Sequence, residues 1–339
     1  MVPVAGGGRW LDEVVGAILA EDDGRPFEVV LVDDETFPGE SGRLARLAAA
    51  DPRVRVVAGP RKGAAAAVNA GVRAARQPLI AQVDQDVVLE KGWLARLAAA
   101  LEGDRVAAAQ GRYVTARASS WWARAAGYDL ELRYARLPGR EVDHVCTGNS
   151  VYRAAAIEEV GLFDEDLGYG YDNRMSYRLV KAGHRLVFER EARSRHAWRE
   201  NLGGYLRQQF GQGYGRLDLV WRHPERVGGD AVSGALMILH APTMLAAVVS
   251  LAVLVGSAAA GRPWPPAGLL AGGLVALLAA ERLQAAVAAW RLVGDPVALF
   301  MVPAHLLRDL AWAWAIVTWT WHRLLRRPAD PRASMQARS

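Results

Sequence analysis

Short apolar runs separated by turns fill the first two thirds of the chain, and long apolar runs fill the rest. In the first part the runs alternate between two periods. "FEVVLVDD", "RVRVVAG", "PLIAQVDQD" and "RVAAAQGRYV" read as strands, rich in β-branched residues and bounded by Gly, Pro or Asp. Between them "GRLARLAAA", "GAAAAVNAGVRAA" and "EKGWLARLAAALE" carry helical spacing. Further on, "NSVYR" predicts a strand, "AAAIEEVG" a short helix closed by Gly161, "NRMSYRLVKAG" a helix closed by Gly183, and "HRLVFE" a strand. This rhythm predicts an α/β fold with a mostly parallel sheet and helices on both faces.

The pattern changes near residue 230. From Gly234 to Ser257 run 24 residues with one His and no formal charge, enough to span a bilayer as a helix. "GRPWPPAG" then forces a loop. "LLAGGLVALLAA", extended by "ERLQAAVAAW", makes a second span. Val297 to Trp321 holds His305, Arg308 and Asp309 near its middle and Trp312, Trp314, Trp319 and Trp321 after them. It is a third span or an amphipathic helix lying in the interface. The expected division is a catalytic domain over 1–225, a membrane region over 226–325 with two or three helices, and a basic tail over 326–339.

Charge bears on orientation. From Arg323 to Ser339 there are five Arg against one Asp, and from 190 to 230 eight Arg against five acids. Both flanks favour the cytoplasmic side, which two spans satisfy and three do not. The expected location is therefore the plasma membrane, multi-pass, with the catalytic domain cytoplasmic. The overall charge of +5 forms no dense basic patch, so no nucleic-acid partner is expected. A single cysteine, Cys146, excludes an internal disulfide. The N-terminus lacks a basic region followed by a long apolar core, so no signal peptide is expected.

Two strands end in acids, Asp33-Asp34 and Asp84/Asp86. In an open α/β sheet ligands bind beyond the carboxyl ends of the strands. Carboxylates are stable side by side there when a divalent cation, Mg²⁺ or Mn²⁺, sits between them and a phosphate. Asp also suits an ordinary polar turn, but two such pairs on one sheet favour the cation. No G-x-G-x-x-G follows the first strand and no G-x-x-x-x-G-K-[ST] occurs. Asp172 precedes a helix, as a cap or as a carboxylate base. His196 follows a strand, as a structural imidazole or a metal ligand.

Together these segments resemble family 2 glycosyltransferases of the GT-A fold, over about residues 1 to 220. "PVAGGGRWLDEVVGAIL" resembles the opening strand, loop and helix, with Pro3 and Val4 on the donor side. "VVLVDDET" resembles the strand whose acids meet the nucleotide, here Asp33 and Asp34. "RKGAAAAVNAG" resembles R-N-x-G-x-x-x-A-R-N-x-G, with Gly63 and Asn69 matched and Val68 where Arg is usual. "VDQD" matches D-x-D, and "GNSVYRAAAIEEVGLFDEDL" with "YDNRMSYRLVKAG" matches the acceptor-side block. The resemblance implies donor binding by Pro3, Val4, Asp33, Asp34, Gly63, Asn69 and Asp84. It implies a divalent cation on Asp86 and His196, and Asp172 as the base in one-step transfer with inversion. The implied partners are a nucleotide-sugar donor, a glycan or glycolipid acceptor and the membrane.

Three departures stand out. Tyr171 takes the place of the acid that usually precedes the base. The opening strand begins several residues later than is usual. "YLRQQFGQGYGR" lacks the Q-x-x-R-W of processive polymer synthases, which points to transfer of single sugars. Two rival readings remain: a polyprenyl-phosphate acceptor, and a non-catalytic membrane protein that keeps the fold. Trp121-Trp122 reads equally as an interfacial contact or an aromatic cluster.

Overall fold

The computed structural model describes residues 1–325 except 7, 22–23, 36–39, 230–231, 233 and 235. The expected basic tail over 326–339 lies outside the described residues. In chain order the elements are β1 (Val2–Ala5), α1 (Leu11–Leu19), β2 (Val29–Glu35), α2 (Glu40–Ala50), β3 (Val54–Ala58), α3 (Ala64–Ala74), β4 (Leu79–Val83), β5 (Val87–Leu89), α4 (Trp93–Ala100), β6 (Val106–Val114), α5 (Trp121–Ala135), β7 (Glu141–Val142), β8 (Asn149–Arg153), α6 (Ala154–Glu159), α7 (Tyr171–Lys181), β9 (Arg185–His196), α8 (Leu202–Arg222), α9 (Met237–Ala259), α10 (Pro265–Val293) and α11 (Met301–Leu324). They fall into two compact units. One holds Met1–Ala116 and Leu137–Ala197; the other holds Arg117–Arg136 and, of the described residues, the chain from Trp198 to Leu325.

The first unit is built on two sheets. β1, β2 and β3 pair in parallel, with Val4 opposite Asp33 and Val32 opposite Val57. The second sheet runs β4-β8-β6-β9-β5, with β7 on β9. Backbone bonds at Met1 join the two: its nitrogen donates to the Ala81 carbonyl at 2.6 Å, and Val83 N–H donates to the Met1 carbonyl at 3.1 Å. The α/β class stands, but the pairing is mixed. β8 runs against both β4 and β6, β9 runs against β5 and β7, and only β6–β9 is parallel in the second sheet. A strand that returns through the middle of a sheet looks the same in the sequence as one that goes forward, so period alone does not separate them. β9 is also longer than "HRLVFE" suggested, at 12 residues, and His196 is its last residue rather than a loop residue beyond it.

Local chemistry places the helices. Glu21, buried at the end of α1, accepts from Gly92 N at 2.9 Å and Leu94 N at 2.8 Å. It caps α4, whose own N-cap position is a glycine with no side chain to offer. Gly111 sits where β6 slips register against β9. A Cβ there would lie 2.5 Å from the Ala192 carbonyl and 2.7 Å from Trp93 Nε1. Trp93 is fully buried and donates from Nε1 to Asn149 Oδ1 at 2.6 Å.

The second unit is helical. Ser120 Oγ caps α5 by accepting from Ala123 N at 3.2 Å, and Asn201 Oδ1 caps α8 by accepting from Gly204 N at 2.8 Å. Three of its helical stretches are long and apolar enough to cross a membrane: Met237–Ala259, Pro265–Val293 and Pro296–Leu324.

The space at Gly111 yields a test. Gly111→Ala should cost about 1–3 kcal/mol by overpacking against backbone and a bonded indole. A chemical unfolding midpoint equal to that of the parent would contradict this.

Candidate functional site

Every acid singled out on the first sheet sits at its carboxyl edge. Asp33 and Asp34 are the two residues of β2 before its end at Glu35. Asp34 is buried and its Oδ1 accepts from Arg61 N at 2.7 Å, which anchors the turn between β3 and α3. β3 leaves the sheet close against this acid: a Cβ on Gly59 would lie 2.6 Å from Asp34 Cα. Gly63 then opens α3 at φ 101°, a conformation that favours glycine. Pro3 and Val4 lie beside Asp33 in β1, but the Val4 side chain is fully buried and only its backbone faces the edge.

Asp84, Gln85 and Asp86 form the turn between β4 and β5, closed by Val87 N donating to the Asp84 carbonyl at 3.0 Å. The middle residue was not singled out from the sequence. Gln85 donates from Nε2 to the Ala5 carbonyl at 2.8 Å and accepts from Ala5 N at 3.2 Å. It ties the acid turn to the end of β1 as a strand neighbour would. Asp86 faces β9: His196 Nε2 stands 3.7 Å from Asp86 Oδ1, and Ala197 N donates to the Asp86 carbonyl at 2.9 Å. The His196 ring meets Tyr113 edge to face, with centroids 5.2 Å apart.

The segment 144–148, which ends at the glycine that opens the acceptor-side block, joins these acids to Asp172. Gly148 adopts φ 91°, and a Cβ on it would lie 2.4 Å from Asp84 Oδ2. Two buried glutamines hold the segment. Gln82 Oε1 accepts from Gly148 N while its Nε2 donates to Asp84 Oδ1 at 2.9 Å, and Gln110 Oε1 accepts from Cys146 N at 2.8 Å. Thr147 Oγ1 donates to the Tyr171 hydroxyl at 3.1 Å. His144 Nε2 lies 3.8 Å from Asp172 Oδ2, with both side chains mostly shielded. Asp172 is thus the second residue of α7, set beside an imidazole. The nearby Tyr152 phenol is fully buried. Burial first, and then the charge of Asp172, raises its pKa well above the usual phenol range, so it stays a neutral donor. The available signal was the glutamines: a buried amide inside "LIAQV" or "VAAAQG" demands a partner.

Asn69 has a different place from the one its motif suggested. It is 1% exposed. Its Nδ2 donates to the Phe163 carbonyl and to Glu165 Oε1, both at 2.8 Å, and its Oδ1 accepts from Phe163 N at 2.9 Å. The amide is committed to the loop that leads into α7, which Arg178 also holds by donating to the Val160 carbonyl at 2.8 Å. Asn69 therefore ties α3 to the loop before Asp172.

No cluster of three or more His, Cys, Asp or Glu able to hold a metal occurs among the described residues. The Asp86–His196 pair fits two positions of one octahedral ion. Ligands at about 2.1 Å from a shared centre lie about 3 to about 4 Å apart, and phosphate and water oxygens commonly complete such a shell.

Residues 1–161 match the family model described as glycosyl transferase family 2. The chain carries a family 2 glycosyltransferase domain. It is 31% identical over 246 residues to a pre-mycofactocin glycosyltransferase of Mycobacterium tuberculosis, covering 68% of this chain and 51% of that protein. An N-acetylglucosaminyltransferase of Mesorhizobium japonicum is 28% identical over 223 residues, covering 60% and 51%. The chain thus spans about half the length of the curated relatives it matches. A mannosyltransferase from Pyrobaculum calidifontis, solved with GDP-Man and Mn²⁺, shares the fold. Its TM-score is 0.58 at 18% identity, covering 94% of this chain and 86% of that one. The GT-A assignment holds.

The bonds of Asn69 separate two substitutions. Asn69→Ala leaves Phe163 N–H and C=O unpaired where the loop is buried, at about 2 kcal/mol. Asn69→Asp turns a donor into a carboxylate facing the Phe163 carbonyl and Glu165, and should destabilise further. Urea midpoints in the order parent, Ala, Asp are expected; an Asp variant as stable as the parent would exclude this role.

Proposed function

We propose that the protein transfers a single sugar from a nucleotide-diphosphate sugar to a hydroxyl of a lipid-linked or membrane-presented glycan, with inversion, from the cytoplasmic face of the plasma membrane. The observation that carries this reading is the joining of two centres at one sheet edge. Asp86 and His196 sit 3.7 Å apart, and the 144–148 segment runs from Asp84 to the carboxylate of Asp172.

In this reading Asp33, Asp34, Gly63 and Asp84, with the backbone of Pro3 and Val4, receive the nucleotide and ribose. Asp86 and His196 would hold a divalent cation, Mg²⁺ or Mn²⁺, which when bound offsets charge on the diphosphate. Asp172 accepts the proton of the acceptor hydroxyl. As the new oxygen–carbon bond forms at the anomeric carbon, the bond to the diphosphate breaks and the nucleoside diphosphate leaves with its electron pair. His144 beside Asp172, in a chain with Tyr171 where an acid is usual, sets the electrostatics of the base by an imidazole instead of a second carboxylate. The Mn²⁺ in the related mannosyltransferase structure and the three apolar stretches support the cation and the membrane setting.

Two measurements test this. Detergent-solubilised protein is melted with UDP-, GDP- and dTDP-sugars, with Mn²⁺ and with chelator. One donor at 100 times its Kd should stabilise by about 2.7 kcal/mol. The shift should vanish with chelator and in Asp86→Ala; no shift with any donor supports a non-catalytic role. Asp172→Asn should keep that shift and lose transfer by on the order of a hundredfold or more. Retained transfer in Asp172→Asn would point to a polyprenyl phosphate, whose oxygen is already ionised and needs no base.

A further inference from the structure

We infer that only α9 and α10 cross the bilayer, and that α11 lies in the plane of the membrane surface with α8 at its side, its Trp-rich stripe resting on lipid. The inference rests on the membrane reading above and concerns the second unit alone.

The polar groups set a common level. His240 near the start of α9 lies 3.3 Å from Arg282 of α10, and Arg282 pairs with Asp309 of α11 at 2.8 Å. At 1.5 Å per residue, His240 to Ala259 spans about 28 Å and Pro265 to Arg282 about 26 Å. Both match a hydrocarbon core of about 30 Å. The two helices form a hairpin whose tip is Gly261–Trp264, and the charged level is the opposite interface. Asp309 stands at that interface. The remainder of α11, to Leu324, is about 22 Å long and short of a crossing.

Its neighbour fixes where that remainder goes. α11 packs along α8. A Cβ on Gly213 would lie 2.8 Å from Trp312, Tyr214 Oη pairs with His322 Nδ1 at 3.0 Å, and Trp319 Nε1 donates to Asp218 Oδ1 at 2.8 Å. Arg323 also donates to Asp218, at 3.2 Å, and lies over the rings of Trp221 and Trp319. The end of α11 is therefore held at the end of α8. α8 carries Arg207, Gln208, Gln212, Arg216 and Arg222, too polar for hydrocarbon. Only 14 residues separate it from α9, with Glu225, Arg226 and Asp230 among them. Such a connection cannot cross lipid, where every backbone group must be satisfied internally. The end of α8, and with it the end of α11, lies on the side where α9 begins.

The exposed face of α11 fits lipid. Leu310, Trp314, Val317, Trp321 and Leu324 are exposed at helical spacing. The stripe is of the same kind as the exposed apolar faces of α9 and α10, which bear Val249, Val255, Leu269 and Leu277. His305, Arg308 and Asp309 turn inward, to Asp129 of α5 and Arg282. An apolar stripe with Trp on one side and charges on the other describes a helix in the interface.

Sidedness of single cysteines tests this, in full-length protein with Cys146→Ser as background. Arg262→Cys, Gly228→Cys and Ser339→Cys are exposed in turn to a membrane-impermeant maleimide, on intact cells and on inverted vesicles. Gly228→Cys and Ser339→Cys should label from one side and Arg262→Cys from the other. Ser339→Cys labelling from the side of Arg262→Cys would establish three spans and overturn the inference. Brominated lipids give a second readout. In-plane, the emission lost in Trp314→Phe and in Trp321→Phe should be quenched at one depth; a spanning helix would separate the two by about 10 Å. Protein released from membranes by a carbonate wash would remove the membrane reading itself, whichever side is labelled.

Discussion

The close approach of Gly148 to Asp84 is the contact on which the site depends. A side chain at 148 would put a carbon 2.4 Å from a carboxylate oxygen, so the segment can lie against the acid turn only as bare backbone. Gln82 reinforces the approach from β4, because its two amide ends face opposite partners. One accepts the Gly148 N–H and the other donates to Asp84. A carboxylate at a strand end thereby accepts from a neutral amide donor. From Gly148 the placement propagates a few residues back: Thr147 meets Tyr171, and His144 meets Asp172.

Two carboxylates two residues apart are tolerated because the residue between them is spent elsewhere. Asp84 and Asp86 occupy a turn, and Gln85 returns to the backbone of Ala5. The acids then diverge. Asp84 faces Gly148 and Gln82, while Asp86 faces His196 on β9. Antiparallel pairing of β5 with β9 sets Val87 opposite His196. An imidazole more than a hundred residues away in the chain thus arrives beside the second acid by strand register.

Period and turn residues made most of the first unit readable: β2, β3, α3, β4, α4, β6, β8, α6 and α7 lie where the apolar pattern puts them. Strand direction was not readable, because a central strand is apolar whichever way it runs. Nor were the roles of Gln82, Gln110 and Asn69, whose meaning lies in partners 36 to 96 residues away. Asn69 shows the limit of motif reasoning. The motif located it correctly in α3, but its hydrogen bonds run to the loop before Asp172. The position was legible and the hydrogen-bond partners were not.

α5 poses the same problem in another form. Residues 117–136 leave the unit that holds their chain neighbours on both sides. The helix carries Arg124, Asp129, Arg133 and Tyr128, and each meets a partner within the second unit. Arg124 and Tyr128 bond to Asp295, and Asp129 meets Arg133, His305 and Arg308. Apolar contacts with Ala286, Ala289, Met301 and Ala304 surround these pairs. Apolar burial alone would let such a helix rotate or slide, since Ala and Leu pack acceptably in many registers. Buried charges do not. Each misplaced partner leaves an ion without compensation, at several kcal/mol, so a single register satisfies Asp129 and Asp295 together. The charges inside this apolar unit act as its registration marks, and they explain why so polar a helix belongs with the most hydrophobic part of the chain.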